Sequence, residues 1–439
     1  MKYFWSIFYS FIFLPLFWLT AKFISLFNSK LKSGFKGRKD LFKHLHTKAQ
    51  SLDPQKKNIL IHCASLGEFE QAKPIIDELD KTEKYNFIVS FFSPSGFNHS
   101  KLDSALKSKI IKTYLPYDAT SNVARFLDTV NPASVIFIKY DLWLNLIKEL
   151  KDRNIHTIVV NSAFDIRRFK WRFPLSIAYK RYVYKFFDVI GVTDEEDKQR
   201  FAKIMGSETS VIVFGDTKYE RINKAKEISS SKELINGSIM TNKNVFVVGS
   251  SWDKDEDVIF PVLERISTNG LSDEIPFVTV IAPHEPTEDN LENIEYDLHT
   301  KYPNIKSIRY SELNRYNGEN LIIIDNIGML MGLYKYAHVA YVGGGFQTGM
   351  HNVLEPAGYG IPVLFGNEKL SEDAEHLIKN GGGIAVEDSK ELYKNLLNLF
   401  RKKEVRDSIG SKSLLVFDSK NEASKKISEL VNKNLSQGI

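Results

Sequence analysis

The stretch AYVGGGFQTGMHNVLEPAGYGIPVLF (residues 340–365) reads as strand, glycine loop, short helix and second strand. An apolar run breaks into Gly343-Gly344-Gly345, and a loop follows through Gly349, Met350, His351 and Asn352. A helical segment over 353–357 then ends at Gly358 and Gly360 before the apolar run 362–365. Glycines let a backbone approach a ligand closely, and the free N–H groups of a helix start favour an anion. Asn352 is placed as an N-cap, with Glu355 three residues on in capping-box position. That pattern fits a well-capped helix behind a tight loop. It fits equally a site for a nucleotide phosphate.

Outward from this stretch the same alternation recurs. Apolar runs at 59–62, 87–92, 110–115, 135–138, 157–160, 189–192 and 210–214 are separated by helical segments of the length a parallel sheet needs. A polar stretch, 223–244, separates them from a second set at 245–248, 278–281, 321–324, 339–342, 362–365 and 383–386. The expected fold class is α/β, with two doubly wound Rossmann-like domains facing a cleft. The expected divisions are an anchor (1–28), an N-terminal acceptor-binding domain (29–222), a linker (223–244) and a C-terminal donor-binding domain (245–413). A last helical segment, 414–439, packs back on the first domain in this reading. With 439 residues each domain has room for its own core.

Composition narrows the class. Hydrophobics make up 43% and charged residues 26%, as in ordinary globular proteins, and a net charge of +5 does not argue for nucleic acid. A single cysteine, Cys63, excludes an intrachain disulfide, and no Cys/His spacing suggests zinc. The N-terminus departs from the average. Residues 3–21 carry no charge, and eight Lys/Arg against one acid, Asp40, lie between Lys22 and Lys48. This predicts a retained membrane anchor whose basic flank stays on the cytoplasmic face. A helix lying in the membrane interface is the alternative, because Pro15 and Lys22 interrupt a clean span.

Several clusters fall at strand ends, where doubly wound sheets bind ligands. Ser65-Leu66-Gly67-Glu68 follows the first strand. Ser-x-x-Glu is a capping-box spacing, so Glu68 serves either the backbone alone or as a general base, kept ionised by the helix start. Lys218 closes the first domain and either reaches an anionic donor or is solvated. Ser250, Ser251, His284 and Gly328 follow strands of the second domain, and 253–257 (DKDED) reads as the acid-rich first turn of a helix rather than a metal site. Residues 166–187 interleave Arg167, Arg168, Lys170 and Arg172 with aromatics, a mixture suited to a phosphorylated lipid at a membrane surface or to nucleic acid; the anchor favours the lipid.

Taken in order, HCASLGEFEQAKPII (62–76), YLPYD (114–118), GDTKYE (215–220) and GMHNVLEPAGYGIPVLFG (349–366) resemble the 3-deoxy-D-manno-octulosonic acid (Kdo) transferases of lipopolysaccharide synthesis. The resemblance implies a GT-B glycosyltransferase at the inner membrane. It also implies CMP-Kdo as donor, a lipid A precursor as acceptor, and neither metal nor other cofactor. By the same resemblance Glu68 is the catalytic base and Ser65 and Gly67 shape its turn. Glu355 would bind ribose hydroxyls and Asn352 the phosphate, with Lys218, Ser250, Ser251, His284, Gly328, Gly344, Gly349 and His351 as further donor contacts. Arg167, Arg168, Lys170 and Arg172 join Ser65 and Gly67 on the acceptor side. The chain departs from the family pattern at Lys139-Tyr140-Asp141, Ser162-Ala163, Trp252 and Pro283-His284-Glu285. A GT-B transferase using a UDP-sugar is the alternative.

Overall fold

A computed structural model describes residues 4–102, 105–163, 174–205, 210–270, 276–347, 349–417 and 422–437. The chain forms two compact units, Met1–Arg221 with Lys420–Ile439, and Ile222–Ser419.

The first unit is built on β1 (Lys57–Cys63), β2 (Tyr85–Phe91), β3 (Ile110–Tyr114), β4 (Pro132–Ile138), β5 (His156–Ser162), β6 (Val189–Val192) and β7 (Ser210–Val213). All run parallel, in the order β3-β2-β1-β4-β5-β6-β7. Both faces are covered, which is why the strands read as unbroken apolar runs. Leu60, Ile88 and Phe137 enter one core, while Ile59, Ile61, Phe87, Val89, Ile136 and Ile138 enter the other. The helix Ala423–Ser436 adds Ala423, Ile427, Val431 and Leu435, a stripe of period four, to the second core. Its polar groups are tied as well: Tyr85 Oη donates to Asn432 Oδ1 at 2.6 Å, and Lys57 Nζ to the Leu435 carbonyl at 2.8 Å.

The second unit holds β8 (Asn244–Ser251), β9 (Phe277–Pro283), β10 (Ser307–Arg309), β11 (Leu321–Ile323), β12 (Val339–Val342), β13 (Val363–Gly366) and β14 (Gly383–Val386). These too are parallel, in the order β10-β11-β9-β8-β12-β13-β14. β10 was absent from the pattern expected of the sequence. Three residues at a sheet edge are too few to carry a period.

In each sheet the order reverses beside the first strand, between β1 and β4 and between β8 and β12. Such switch points are where open α/β sheets bind ligands.

Two local expectations change. The stretch 223–244 is not a bare linker, because the helix Thr217–Ser230 runs through its first third and the helix Gly237–Met240 lies near its end. The segment beyond β2, whose pattern suggests a helix near 95–107, is helical among the described residues over Pro94–His99. The last segment is helical as expected, over Ala423–Ser436.

The N-terminal apolar run is helical from Phe4 to Ile24, long and apolar enough to cross a membrane, with a π turn over Tyr9–Phe13. One side of it is held to the first unit. Tyr9 Oη donates to Asp118 Oδ2 at 2.8 Å, Ser10 Oγ donates to Asn145 Oδ1 at 3.0 Å, and Ser6 shares a hydrogen bond with Tyr182. Leu14 is buried, and Phe17 and Trp18 pack against the core. The other side exposes Phe11, Leu19 and Phe23.

Candidate active site

β1 ends at Cys63, and the helix Leu66–Asp80 begins three residues later with Ser65 as N-cap. Ser65 Oγ accepts from the Glu68 N–H at 3.4 Å, a long bond, and Glu68 Oε2 accepts from the Ala64 N–H. The carboxylate therefore folds back on the turn one residue before the N-cap, a variant of the box expected from Ser-x-x-Glu. Its other oxygen has no hydrogen bond among the described residues. A Cβ on Gly67 would meet only Ser65 Oγ, at 3.9 Å, so the space above the turn is open.

The helix start favours the charged form of Glu68, but burial works against it. Burial pushes its carboxyl above the ordinary glutamate value and outweighs the Ala64 hydrogen bond; the charge of Asp141 pushes the same way, against His62 and Lys139.

Asp141 and His62 were not singled out as site residues, yet they frame the turn. His62 is the penultimate residue of β1, and Asp141 lies three residues past β4, the neighbouring strand across the switch point. His62 Nε2 lies 2.9 Å from Asp141 Oδ2, and Nδ1 lies 2.9 Å from Ser90 Oγ on β2. Trp143 Nε1 also donates to Asp141 Oδ2, at 3.0 Å. The backbone after β4 is strained where it enters this cluster, with Lys139 at φ 64°. A second left-handed residue, Asn161 on β5 (φ 54°), donates to Thr217 Oγ1 at 2.8 Å. The only advance signal for this cluster was position, since its residues lie at or just past the carboxyl ends of strands of one sheet.

Lys218 follows Thr217 in the first unit, and its Nζ lies 3.2 Å from Asp216 Oδ2. Arg167, Arg168, Lys170 and Arg172 lie outside the described residues.

In the second unit the glycine loop follows β12. A Cβ on Gly343 would sit 2.2 Å from the Ser250 carbonyl oxygen, and one on Gly345 would sit 2.4 Å from that of Gly366. Gly344, at φ 92°, leaves room for no side chain against the Gly349 carbonyl, 2.3 Å away. Close backbone packing is thus what these glycines permit. The loop is pinned by Asp255, whose Oδ2 accepts from the Gly344 N–H at 2.8 Å and the Trp252 N–H at 3.1 Å, while Oδ1 accepts from Tyr341 Oη at 2.9 Å. Asp255 lies in the first turn of the helix Asp253–Asn269, so DKDED is the acid-rich helix start the sequence indicated. Among the described residues no group of three metal-ligating side chains occurs.

Ser250 (φ 55°) and Ser251 end β8, and Ser251 Oγ donates to Glu256 Oε1 at 2.8 Å. Burial, reinforced by Asp253, Asp255 and Asp257, pushes the Glu256 carboxyl up to about 7. Trp252, His284 and His351 form a ring cluster: the His284 ring lies 4.4 Å from each of the other two, and Trp252 Nε1 donates to His351 Nε2 at 2.9 Å. Burial and His284 lower the pKa of His351, which favours a neutral imidazole. The His351 N–H donates to the Gly343 carbonyl at 3.2 Å and closes the loop.

Asn352 is not the N-cap. The helix is a single turn, Leu354–Ala357, capped at Val353 with no side-chain bond. Asn352 Oδ1 accepts from the Leu354 N–H at 3.2 Å, and Nδ2 donates to Glu355 Oε1 at 3.0 Å, so Asn352 orients Glu355. One turn sums few peptide dipoles, so any anion binding here rests on loop N–H groups more than on a macrodipole. Gly328 (φ 93°) and Gly349 (φ 109°) sit in open positions with no atom within 4 Å of a Cβ.

Residues 37–221 match the 3-deoxy-D-manno-octulosonic-acid transferase (kdotransferase) family. That stretch, under half of the chain, matches as a Kdo-transferase domain. The likeness continues beyond it. A 3-deoxy-D-manno-octulosonic acid transferase of Haemophilus influenzae is 24% identical over 394 residues, 88% of this chain and 89% of that protein. A bifunctional glycosyltransferase/methyltransferase of Fusobacterium nucleatum is 27% identical over 360 residues, 80% of this chain; the aligned part spans 54% of that longer protein. With a Kdo-transferase domain and such relatives over most of its length, the chain is a glycosyltransferase. The fold agrees: the UDP-GlcNAc 2-epimerase of Neisseria meningitidis superposes with a TM-score of 0.59 over 86% of this chain and 100% of that one, at 14% identity. Two Rossmann-like units of this kind are the GT-B type of fold.

Proposed function

We propose that this Kdo transferase moves Kdo from CMP-Kdo to a hydroxyl of a membrane-borne lipid A precursor in lipopolysaccharide synthesis, with Glu68 as general base. The observation that supports this best is the Glu68 turn at the β1/β4 switch point, where a half-buried carboxylate of raised pKa stands beside the His62–Asp141 pair. A base works best when its pKa lies near the working pH. In this reading the acceptor oxygen forms a bond to the anomeric carbon of Kdo, and its proton passes to Glu68. The bond from that carbon to the phosphate oxygen breaks, its electron pair leaves on CMP, and the configuration inverts.

Donor binding is assigned to the second unit. The phosphate is assigned to the side of the glycine loop, Glu355 accepts from the ribose hydroxyls with Asn352 holding it in place, and Ser250, Ser251 and His284 border the loop. The Phe4–Ile24 helix, tethered by Ser6, Tyr9 and Ser10, lies in the cytoplasmic membrane interface in this reading and buries its exposed aromatic side. A segment tied along its length to a globular body is poorly placed to cross a bilayer.

The test is transfer by a Glu68→Gln protein, with CMP-Kdo and a tetraacylated disaccharide phosphate, read by mass spectrometry. The expected result is a loss of about 10²–10⁴-fold in rate, with CMP binding by calorimetry unchanged. Full transfer by this variant overturns the assignment.

A further inference from the structure

An apolar cavity of about 470 Å³ lies in the first unit, between the N-terminal helix, the helix Ser29–Gly37 and the end of β2. Trp18, Ala21, Leu31, Phe35, Phe92 and Tyr117 line it. Its size falls among sites for small ligands, roughly 300–1,000 Å³. We infer that this cavity binds one fatty-acyl chain of the glycolipid acceptor, an inference that rests on the reading of the acceptor given above.

Three observations converge on that occupant. The cavity continues outward into the exposed apolar flank of the N-terminal helix: Ile24, which lines it, is 44% exposed, and Phe23 beside it is 65% exposed. A chain therefore passes from a membrane into the cavity without crossing water. Second, the Trp18 indole N–H is buried without a hydrogen-bond partner. With that N–H closed off, the Trp18 ring offers the cavity an apolar wall suited to a hydrocarbon chain. Third, the inner wall touches the Glu68 turn. Ser93, which lines the cavity, donates its N–H to the Ala64 carbonyl at 2.8 Å, and the Ala64 N–H in turn holds Glu68. Gly96 is equally close, since a Cβ there would lie 3.1 Å from the Ser65 carbonyl carbon.

Arg38 is part of the frame rather than a ligand group. Its guanidinium donates to the carbonyls of Gly34, Phe92 and Leu115 and lies over the rings of Phe92 and Tyr114. Lys30 at the rim is exposed and suits a phosphate on the same lipid. An acyl chain seated here brings its sugar headgroup to the Glu68 side of the unit, which a bilayer phospholipid has no need to do.

The experiment uses the full chain on vesicles of phosphatidylethanolamine and phosphatidylglycerol. One preparation carries a tetraacylated disaccharide phosphate with a diazirine at an acyl terminus, the other a phospholipid with the same group. After illumination, labelled residues are mapped by mass spectrometry. The glycolipid is expected to label the 17–35 segment at its cavity-lining positions, and the phospholipid to label Phe11, Leu19 and Phe23. Ala21→Trp, which fills the cavity and leaves the exposed flank intact, is expected to cut cavity labelling by the glycolipid at least tenfold while vesicle binding stays the same. Leu31→Asp gives a second reading if the tryptophan variant does not fold. Glycolipid label confined to the exposed flank overturns the inference, as does cavity labelling unchanged in both variants, or equal cavity labelling by the phospholipid. The measurement needs neither CMP-Kdo nor turnover, so labelling of the cavity without any Kdo transfer counts against the proposed reaction and not against the acyl site.

Discussion

His62 and Asp141, 79 residues apart in sequence, meet at 2.9 Å between Nε2 and Oδ2 across the switch point of the first sheet. Their charges act on Glu68 in opposite senses, Asp141 raising its carboxyl and His62 lowering it. Asp141→Asn is therefore expected to move the acid limb of the kcat/KM pH profile to lower pH, and His62→Gln to move it higher. The wild-type limb should itself lie above the ordinary glutamate value of about 4.3. Identical limbs in all three proteins would show that Glu68 does not set the profile.

Glu256 offers a stability test in the second unit. Its folded-state carboxyl is raised to about 7, so between the unfolded value near 4.3 and about 7 the folded state holds more protons than the unfolded one. Its contribution therefore falls as pH rises through that window and is flat above it. Glu256→Gln keeps an acceptor for Ser251 and removes the titration. The variant should gain on the order of 1–3 kcal/mol over wild type at pH 8, and less at pH 5, by urea unfolding at both pH values.

The glycine loop separates two kinds of glycine. Gly344→Ala forces a Cβ to within 2.3 Å of the Gly349 carbonyl oxygen at φ 92°, whereas Gly328→Ala meets only an unfavourable φ in open space. The first should weaken CMP binding at least tenfold and cost several kcal/mol; the second should cost about 1 kcal/mol. Calorimetric titration with CMP and thermal melts distinguish them. UDP titrated into the wild-type protein should bind more weakly than CMP.

Membrane association should follow the exposed side of the N-terminal helix. Phe11 and Phe23, 75% and 65% exposed, make no part of the core. Converting both to Asp removes apolar burial of about 1.5–3 kcal/mol each and should reduce vesicle flotation by at least tenfold with an unchanged melting temperature. Tyr9→Phe should do the reverse, lowering stability by about 1–3 kcal/mol because Asp118 loses a donor, with flotation retained.

The parts of this molecule legible in the sequence are those fixed by neighbours along the chain. Alternating apolar runs and helical segments gave two parallel sheets, because burial on both faces demands continuous hydrophobic strands. The three glycines after β12 were readable because only glycine tolerates a carbonyl 2.2–2.4 Å from its Cβ position. Glu68 and Ser65 were found through a local spacing, and Asn352 and Glu355 through another, which misjudged the cap because the helix there is one turn long.

Contacts between distant segments were settled only by the tertiary structure. β1 lies beside β4, not beside the next strand to follow β2, and this order alone brings Asp141 to His62. The electrostatic setting of Glu68 likewise depends on remote segments, because a helix start favours its charge locally while burial raises its carboxyl. The N-terminal helix was readable as apolar, but which of its sides docks depends on Asp118, Asn145 and Tyr182. Local propensity and pattern are written along the chain; pairing, desolvation and docking depend on which remote segments the fold makes neighbours.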